Sequence, residues 1–124
     1  MRTILTMLPG LACLACGQPA QEAAPDQTLT LDAVSYAYQP AQLSAEPGTI
    51  RFVVRNVADE EHGFEVEGQG VEEEIESIPG GATDSLAVTL TTPGEYEIYC
   101  PVDDHAERGM RGTLTIAAGA GAAR

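Results

Sequence analysis

The sequence predicts an all-β domain, an antiparallel Greek-key β-sandwich of about seven or eight strands. Three observations carry that expectation. Apolar residues alternate with polar ones, Gly/Pro punctuation falls between the alternating runs, and no stretch sustains a helical period. Alternation gives each strand one apolar and one polar face, and two such sheets bury their apolar faces against each other.

Taken in order, the runs are short. Leu29 and Leu31 alternate with Thr28, Thr30 and Asp32. Ile50, Phe52 and Val54 alternate with Thr49, Arg51, Val53 and Arg55 in a strand over 49–57, where only Val53 departs from a polar outer face. A short strand over Phe64 to Val66 follows the loop VADEEHGF. Leu86, Val88 and Leu90 alternate with Ser85, Ala87 and Thr89; Tyr96, Ile98 and Cys100 alternate with Glu95, Glu97 and Tyr99; Leu114 and Ile116 alternate with Thr113 and Thr115. Turns are marked by Pro47-Gly48, Gly68 to Gly70, Pro79-Gly80-Gly81, Pro93-Gly94 and Gly109 to Gly112.

The N-terminus reads as an export signal over residues 1–15. Arg2 supplies a positive start, and Ile4 to Ala15 is apolar apart from Thr6, Pro9 and Gly10. A bilayer span needs about 20 such residues, so this segment is too short to be one. It runs into Leu14-Ala15-Cys16-Gly17, which resembles a bacterial lipobox and makes Cys16 the expected lipidation site. The position three before it is Cys13, where a lipobox usually has Leu, and Cys13 after Leu11-Ala12 is the alternative acceptor. Residues 16–27 are rich in Pro, Ala and Gln and read as a flexible tether, 28–117 as the domain, and 118–124 as a disordered tail.

Charge and size narrow the function. Of the 124 residues, 19 are Asp or Glu against six Arg and no Lys, a formal charge of −13. A nucleic-acid partner or an anionic leaflet demands a basic face, which this chain lacks. One small domain excludes a multidomain enzyme. Without the leader, the three cysteines reduce to Cys16 and Cys100, so Cys100 has no internal disulfide partner. Met110 is then the one remaining methionine, and His62 and His105 are the two histidines.

Those residues form a pattern. Tyr99-Cys100-Pro101-Val102-Asp103-Asp104-His105-Ala106-Glu107-Arg108-Gly109-Met110 contains C-x4-H-x4-M between two strands. Thiolate, imidazole and thioether within eleven residues make a soft donor set suited to copper. A neighbouring loop carries His62, so that His62, Cys100 and His105 can close a trigonal plane with Met110 as a weak axial ligand. Taken singly, Cys100 is a small core hydrophobe, Met110 core filler and His62 a solvated loop residue. None of these separate explanations accounts for their spacing together. A zinc site is a poorer fit, since a thioether beside Cys and two His is softer than zinc selects.

Here the sequence resembles the cupredoxins, the type 1 blue copper proteins, over residues 28–117. The residues that carry the resemblance are Tyr38-Gln39-Pro40, Pro47-Gly48-Thr49-Ile50-Arg51-Phe52, Asn56, His62, Pro93-Gly94-Glu95-Tyr96, Tyr99-Cys100, His105 and Gly109-Met110-Arg111-Gly112. The C-x4-H-x4-M spacing is similar to that of rusticyanin and sulfocyanin. The sequence departs at Gly63, where many members have Asn after the first ligand, and at Pro101, which offers no N–H. A binuclear copper centre is the closest rival within the fold, but it needs two bridging thiolates and the domain has one Cys.

The resemblance implies one type 1 copper held by His62, Cys100, His105 and Met110, and no catalytic residue. The expected function is single-electron transfer between redox proteins by a monomer in the bacterial cell envelope, lipid-anchored on the periplasmic or outer face. The alternative is a copper-binding or delivery module for an oxidase or for envelope copper handling; a metal-free adhesion or scaffold sandwich is a third class. Asp59-Glu60-Glu61, Glu65, Glu67, Glu72 to Glu74 and Glu76 suggest a negative face that steers toward a basic partner, such as a c-type cytochrome or terminal oxidase.

Overall fold

A computed structural model describes residues 25–118. The leader with Cys13, the proposed anchor Cys16, the tether up to residue 24 and tail residues 119–124 lie outside the described residues. Nine strands and no helix occur among the described residues: β1 Gln27–Val34, β2 Ala37–Gln39, β3 Gln42–Ala45, β4 Gly48–Asn56, β5 His62–Gly68, β6 Val71–Ile78, β7 Thr83–Leu90, β8 Gly94–Tyr99 and β9 Arg111–Ile116. They form a four-stranded sheet in the order β2-β1-β4-β7 and a five-stranded sheet in the order β3-β9-β8-β5-β6.

The alternating residues meet between the sheets as their period requires. Leu31, Ile50, Phe52, Val54, Val88 and Leu90 face Phe64, Val66, Tyr96, Ile98, Leu114 and Ile116 across one buried core. Leu29 and Leu86, expected inward, are half-buried at its margin. Each large side chain removed from water contributes about 1.5–3 kcal/mol, so the interior rests on these two facing rows.

The sheets are mixed where an antiparallel sandwich is expected. β1 runs parallel to β4, with Leu31 beside Val54, and β3 runs parallel to β9, with Leu43 beside Leu114. The reason lies in the connection. β2 turns back on β1, β3 crosses to the opposite sheet, and β4 returns to lie beside β1 in the same direction. Residue alternation encodes which face a side chain takes, not the direction of the neighbouring strand.

Three strands go beyond the alternating runs that the sequence marks out. β2 and β3 are only three and four residues long. β6 is an acidic edge strand whose inward residues Ile75 and Ile78 are buried while Glu72, Glu74 and Glu76 stay exposed. Charge along an unpaired edge keeps it from joining another sheet. At the other boundary β1 opens at Gln27, one residue before the expected start of the domain. Asp26 already bonds the chain to β4, its N–H donating to the Thr49 carbonyl and its carboxylate accepting from the Thr49 N–H.

Candidate metal centre

Two connections and one strand end converge at a single pole of the sandwich. Cys100 follows the last residue of β8, so the period of two that turns Tyr96 and Ile98 inward carries the thiol inward as well. The segment 101–110 then folds as successive turns: His105 N–H donates to Val102 O at 3.1 Å, Arg108 N–H to Asp104 O at 3.0 Å, and Gly109 N–H to Ala106 O at 3.1 Å. Its ends are tied together. Met110 N–H donates to His105 O at 3.0 Å, and Cys100 N–H donates to Met110 O at 3.1 Å. Eleven residues are thereby closed into a compact loop that holds Cys100, His105 and Met110 near one another.

His62 opens β5 rather than preceding the strand in a loop, and it pairs with Ile78 of β6. The connection 57–61 that leads to it is fixed by Asn56. That side-chain amide donates to Glu60 O and to Ile78 O, each at 2.8 Å, and its oxygen accepts from Ala58 N–H at 3.1 Å. A bulge between His62 and Phe64 shifts the β5–β6 register at Gly63. Gly63 N–H is thereby aimed at Cys100 Sγ, 3.3 Å away, and Gly63 O accepts from the Tyr38 hydroxyl at 2.5 Å.

The donor atoms meet in the interior. His62 is fully buried, Cys100 is 1% exposed, His105 8% and Met110 fully buried. His62 Nδ1 lies 3.1 Å from His105 Nδ1, and Cys100 Sγ lies 3.6 Å from His105 Nδ1. One donor atom from each of His62, Cys100 and His105 falls within 4.8 Å of the others, the span a single metal ion bridges. Met110 packs in the same buried cluster as Cys100.

Electrostatics suit a cation. Burial holds the His62 imidazole below its ordinary pKa, which favours the neutral ring that ligates metal; Glu60 opposes that shift. Burial pushes the Cys100 thiol up, while N–H groups of Gly63 and Val102 act in the other direction by supporting the thiolate. A cation between the rings and the sulfur would offset the negative charge of a buried thiolate and so favour its deprotonation. On the outer side Tyr36 packs edge-on to His105 with ring centroids 5.2 Å apart, Arg108 lies 5.0 Å over Tyr36, and Asp104 holds Arg108 at 2.9 Å.

A family model described as a cupredoxin-like domain matches residues 6–116. The chain belongs to this family. Among curated proteins, plastocyanin from Prochlorothrix hollandica is 31% identical over 121 residues, which cover 90% of this chain and 87% of that one. Among solved structures, sodium-dithionite-reduced auracyanin from Roseiflexus castenholzii matches with a TM-score of 0.68 at 17% identity, over 77% of this chain and 100% of that chain. Auracyanin B matches with a TM-score of 0.71 at 19% identity, over 79% and 94%. A copper-containing nitrite reductase from Thermus scotoductus matches with a TM-score of 0.60 at 21% identity over 73% of this chain, but the chain spans only 27% of that protein. At these identities the structural likenesses establish the fold.

In this cupredoxin-like chain the structure brings together all three of His62, Cys100 and His105, with Met110 closing the loop beside them. Gly63 is the point at which sequence reasoning missed a function. A Cβ there would lie 2.7 Å from the carbonyl oxygens of Ile75 and Glu76 and 2.9 Å from Pro101 Cδ, so the bulge admits no side chain. The bond to the sulfur comes from its backbone, and Asn56 and Tyr38 tie the connections instead. Tyr36 and Glu60 also contribute unexpectedly, and neither carries a sequence signal beyond lying near other polar residues.

Proposed function

We propose that the chain is an exported one-electron carrier that holds a single copper ion through His62 Nδ1, Cys100 Sγ and His105 Nδ1, with Met110 as a weak axial ligand. The observation that carries this reading is the convergence of two imidazoles and one cysteine sulfur in a buried pocket. Bound copper supplies a reversible one-electron couple. The chain supplies the rest. The bonded loop 100–110 and the Asn56-braced connection hold the donors in place in either oxidation state, and burial keeps water and substrates from the ion.

That burial also speaks against catalysis and against release of the metal to an acceptor, since no donor is more than 8% exposed. The plastocyanin relative supports electron transport in particular. An export signal over residues 1–15 and a lipid on Cys16 give a protein tethered to the bacterial envelope, working as a monomer on the periplasmic or outer face. Its partners in this reading are basic redox proteins such as a c-type cytochrome or terminal oxidase, met through the acidic outer face of the five-stranded sheet.

The test is an absorption spectrum of the domain titrated with Cu(II), followed by reduction and reoxidation. The expected result is one copper per chain, an intense visible sulfur-to-copper band, and full recovery of the band over repeated cycles. Colourless stoichiometric binding, or loss of the ion on reduction, would sink the carrier reading. Acyl labelling that disappears in Cys16→Ser checks the anchor, and labelling that persists assigns it to Cys13.

A further inference from the structure

His62 has two ring nitrogens, and the copper reading uses only one. Nδ1 points to His105 and the sulfur; Nε2 is fully buried and has no hydrogen-bond partner, the one such buried side-chain nitrogen or oxygen among the described residues. A polar atom left unpaired in an interior costs about 1–3 kcal/mol, so its surroundings need an explanation. The Glu60 carboxylate faces it, with Oε1 3.4 Å from Nε2. This is a few tenths of an ångström beyond the usual N–H···O bond, a gap that a small side-chain rotation spans.

Glu60 is held where it can make that bond. Its backbone carbonyl accepts from Asn56 Nδ2 at 2.8 Å, and Ser35 in the β1–β2 turn helps to hold its carboxyl below the ordinary carboxylate pKa. It belongs to the acidic run Asp59-Glu60-Glu61, whose neighbours Asp59 and Glu61 are exposed, whereas Glu60 is half-buried against the imidazole. One carboxylate of three is therefore turned inward onto a ligand ring.

We propose that Glu60 is a positioning residue for the metal site: its carboxylate accepts the Nε2–H of His62, fixes that tautomer, and presents the unprotonated Nδ1 to the metal. The inference rests on the copper reading only for its second consequence. A carboxylate bonded to the far side of a ligand imidazole makes the ring a stronger donor and adds negative charge near the ion. Both effects stabilise Cu(II) over Cu(I), so this residue lowers the reduction potential of the site.

Two measurements separate the parts. In the metal-free protein, long-range 1H–15N correlation of the histidine rings reads the tautomer directly. His62 is expected to carry its proton on Nε2 in the wild type and in Glu60→Gln, whose amide oxygen still accepts, and to lose that preference in Glu60→Ala. The same tautomer and the same shifts in Glu60→Ala would overturn the positioning role whether or not copper binds. In the copper-loaded protein, Glu60→Gln keeps the hydrogen bond and removes the charge. Its Cu(II)-to-Cu(I) affinity ratio is expected to fall about tenfold, read as a higher potential with the visible band retained. A potential equal to or below that of the wild type would overturn the electrostatic role, and failure of the wild type to show a visible band counts against the copper reading alone.

Discussion

At the scale of single residues, the donors were legible because chemistry limits the choice. Two His, one Cys and one Met remain once the leader and Cys16 are set aside, and the spacing of Cys100, His105 and Met110 across one turn-rich connection leaves few arrangements. What supports them was not legible, because Gly63 acts through its N–H and through the space that it leaves empty. Cys100→Ser is expected to abolish the visible band in a folded domain, with circular dichroism unchanged in shape; a retained band would mean that the sulfur is not a ligand. Gly63→Ala places a methyl carbon on two backbone carbonyls and on Pro101, so the bulge must open. The expected cost is about 2–3 kcal/mol by chemical denaturation, with a shifted visible band as Sγ loses its N–H. Met110 lies fully buried at the loop end, where Leu fits by volume but offers no thioether. Met110→Leu should raise the reduction potential by on the order of 0.1 V, or ~2 kcal/mol for one electron, and Met110→Gln should lower it because a harder oxygen donor favours Cu(II). Voltammetry that gives the two variants one potential, or the reverse order, would make Met110 core filler.

At the scale of elements, the sequence carried the faces of the strands but not their neighbours. Tyr96, Ile98 and Cys100 turn inward as their alternation demands, whereas the parallel pairing of β1 with β4 depends on where the short β2 and β3 redirect the chain. β6 was hidden for a different reason. Its apolar residues are spread out as Val71, Ile75 and Ile78 around four Glu, which reads as a solvated run until the bulge opposite Gly63 is known. The pairing has an electrostatic cost. Glu65 of β5 stands opposite Glu74 of β6 and Tyr99 of β8, with Glu72 diagonal to it and Glu67 two residues along its own strand, and it is only 5% exposed. Burial first, and then the charges of Glu74, Glu72 and Glu67, raise its pKa from 4.5 to about 7. The folded state thus holds this proton more tightly than the unfolded chain does. The penalty is absent below pH 4.5 and grows to its full value above pH 7, so stability falls as pH rises across that window. Glu65→Gln cannot ionise and should be about 2 kcal/mol more stable than the wild type at pH 8, with no difference of that sign at pH 4. Denaturation curves at the two pH values check it; equal gains at both would assign the effect to packing rather than charge.

At the scale of the whole molecule, a charge of −13 is distributed unevenly over the two sheets. The outer face of the five-stranded sheet sets Glu65 beside Glu74, and Glu67 beside Glu72 and Glu97, in register across β6, β5 and β8, while Arg111 of β9 pairs with Glu97 at one margin. The outer face of the other sheet alternates its signs. Arg55 holds Asp32 through two bonds of 2.6 and 2.9 Å, and Arg51 donates to Ser85. A field concentrated on one face steers a basic partner into a preferred orientation, and salt screens it with a Debye length of about 8–10 Å at physiological strength. The acidic sheet is also the one that ends at Cys100, so an oriented encounter brings the partner to the strand that leads to the metal site. Electron transfer to a basic c-type cytochrome should therefore slow about tenfold between 10 and 200 mM salt. Glu72→Lys should slow it about threefold at low salt, and Asp84→Lys on β7 of the opposite sheet, with the same change in net charge, should change it much less. Stopped-flow rates for the three proteins decide between a directed face and general acidity. Equal slowing by both variants means that only net charge matters, and a rate independent of salt removes electrostatic steering altogether.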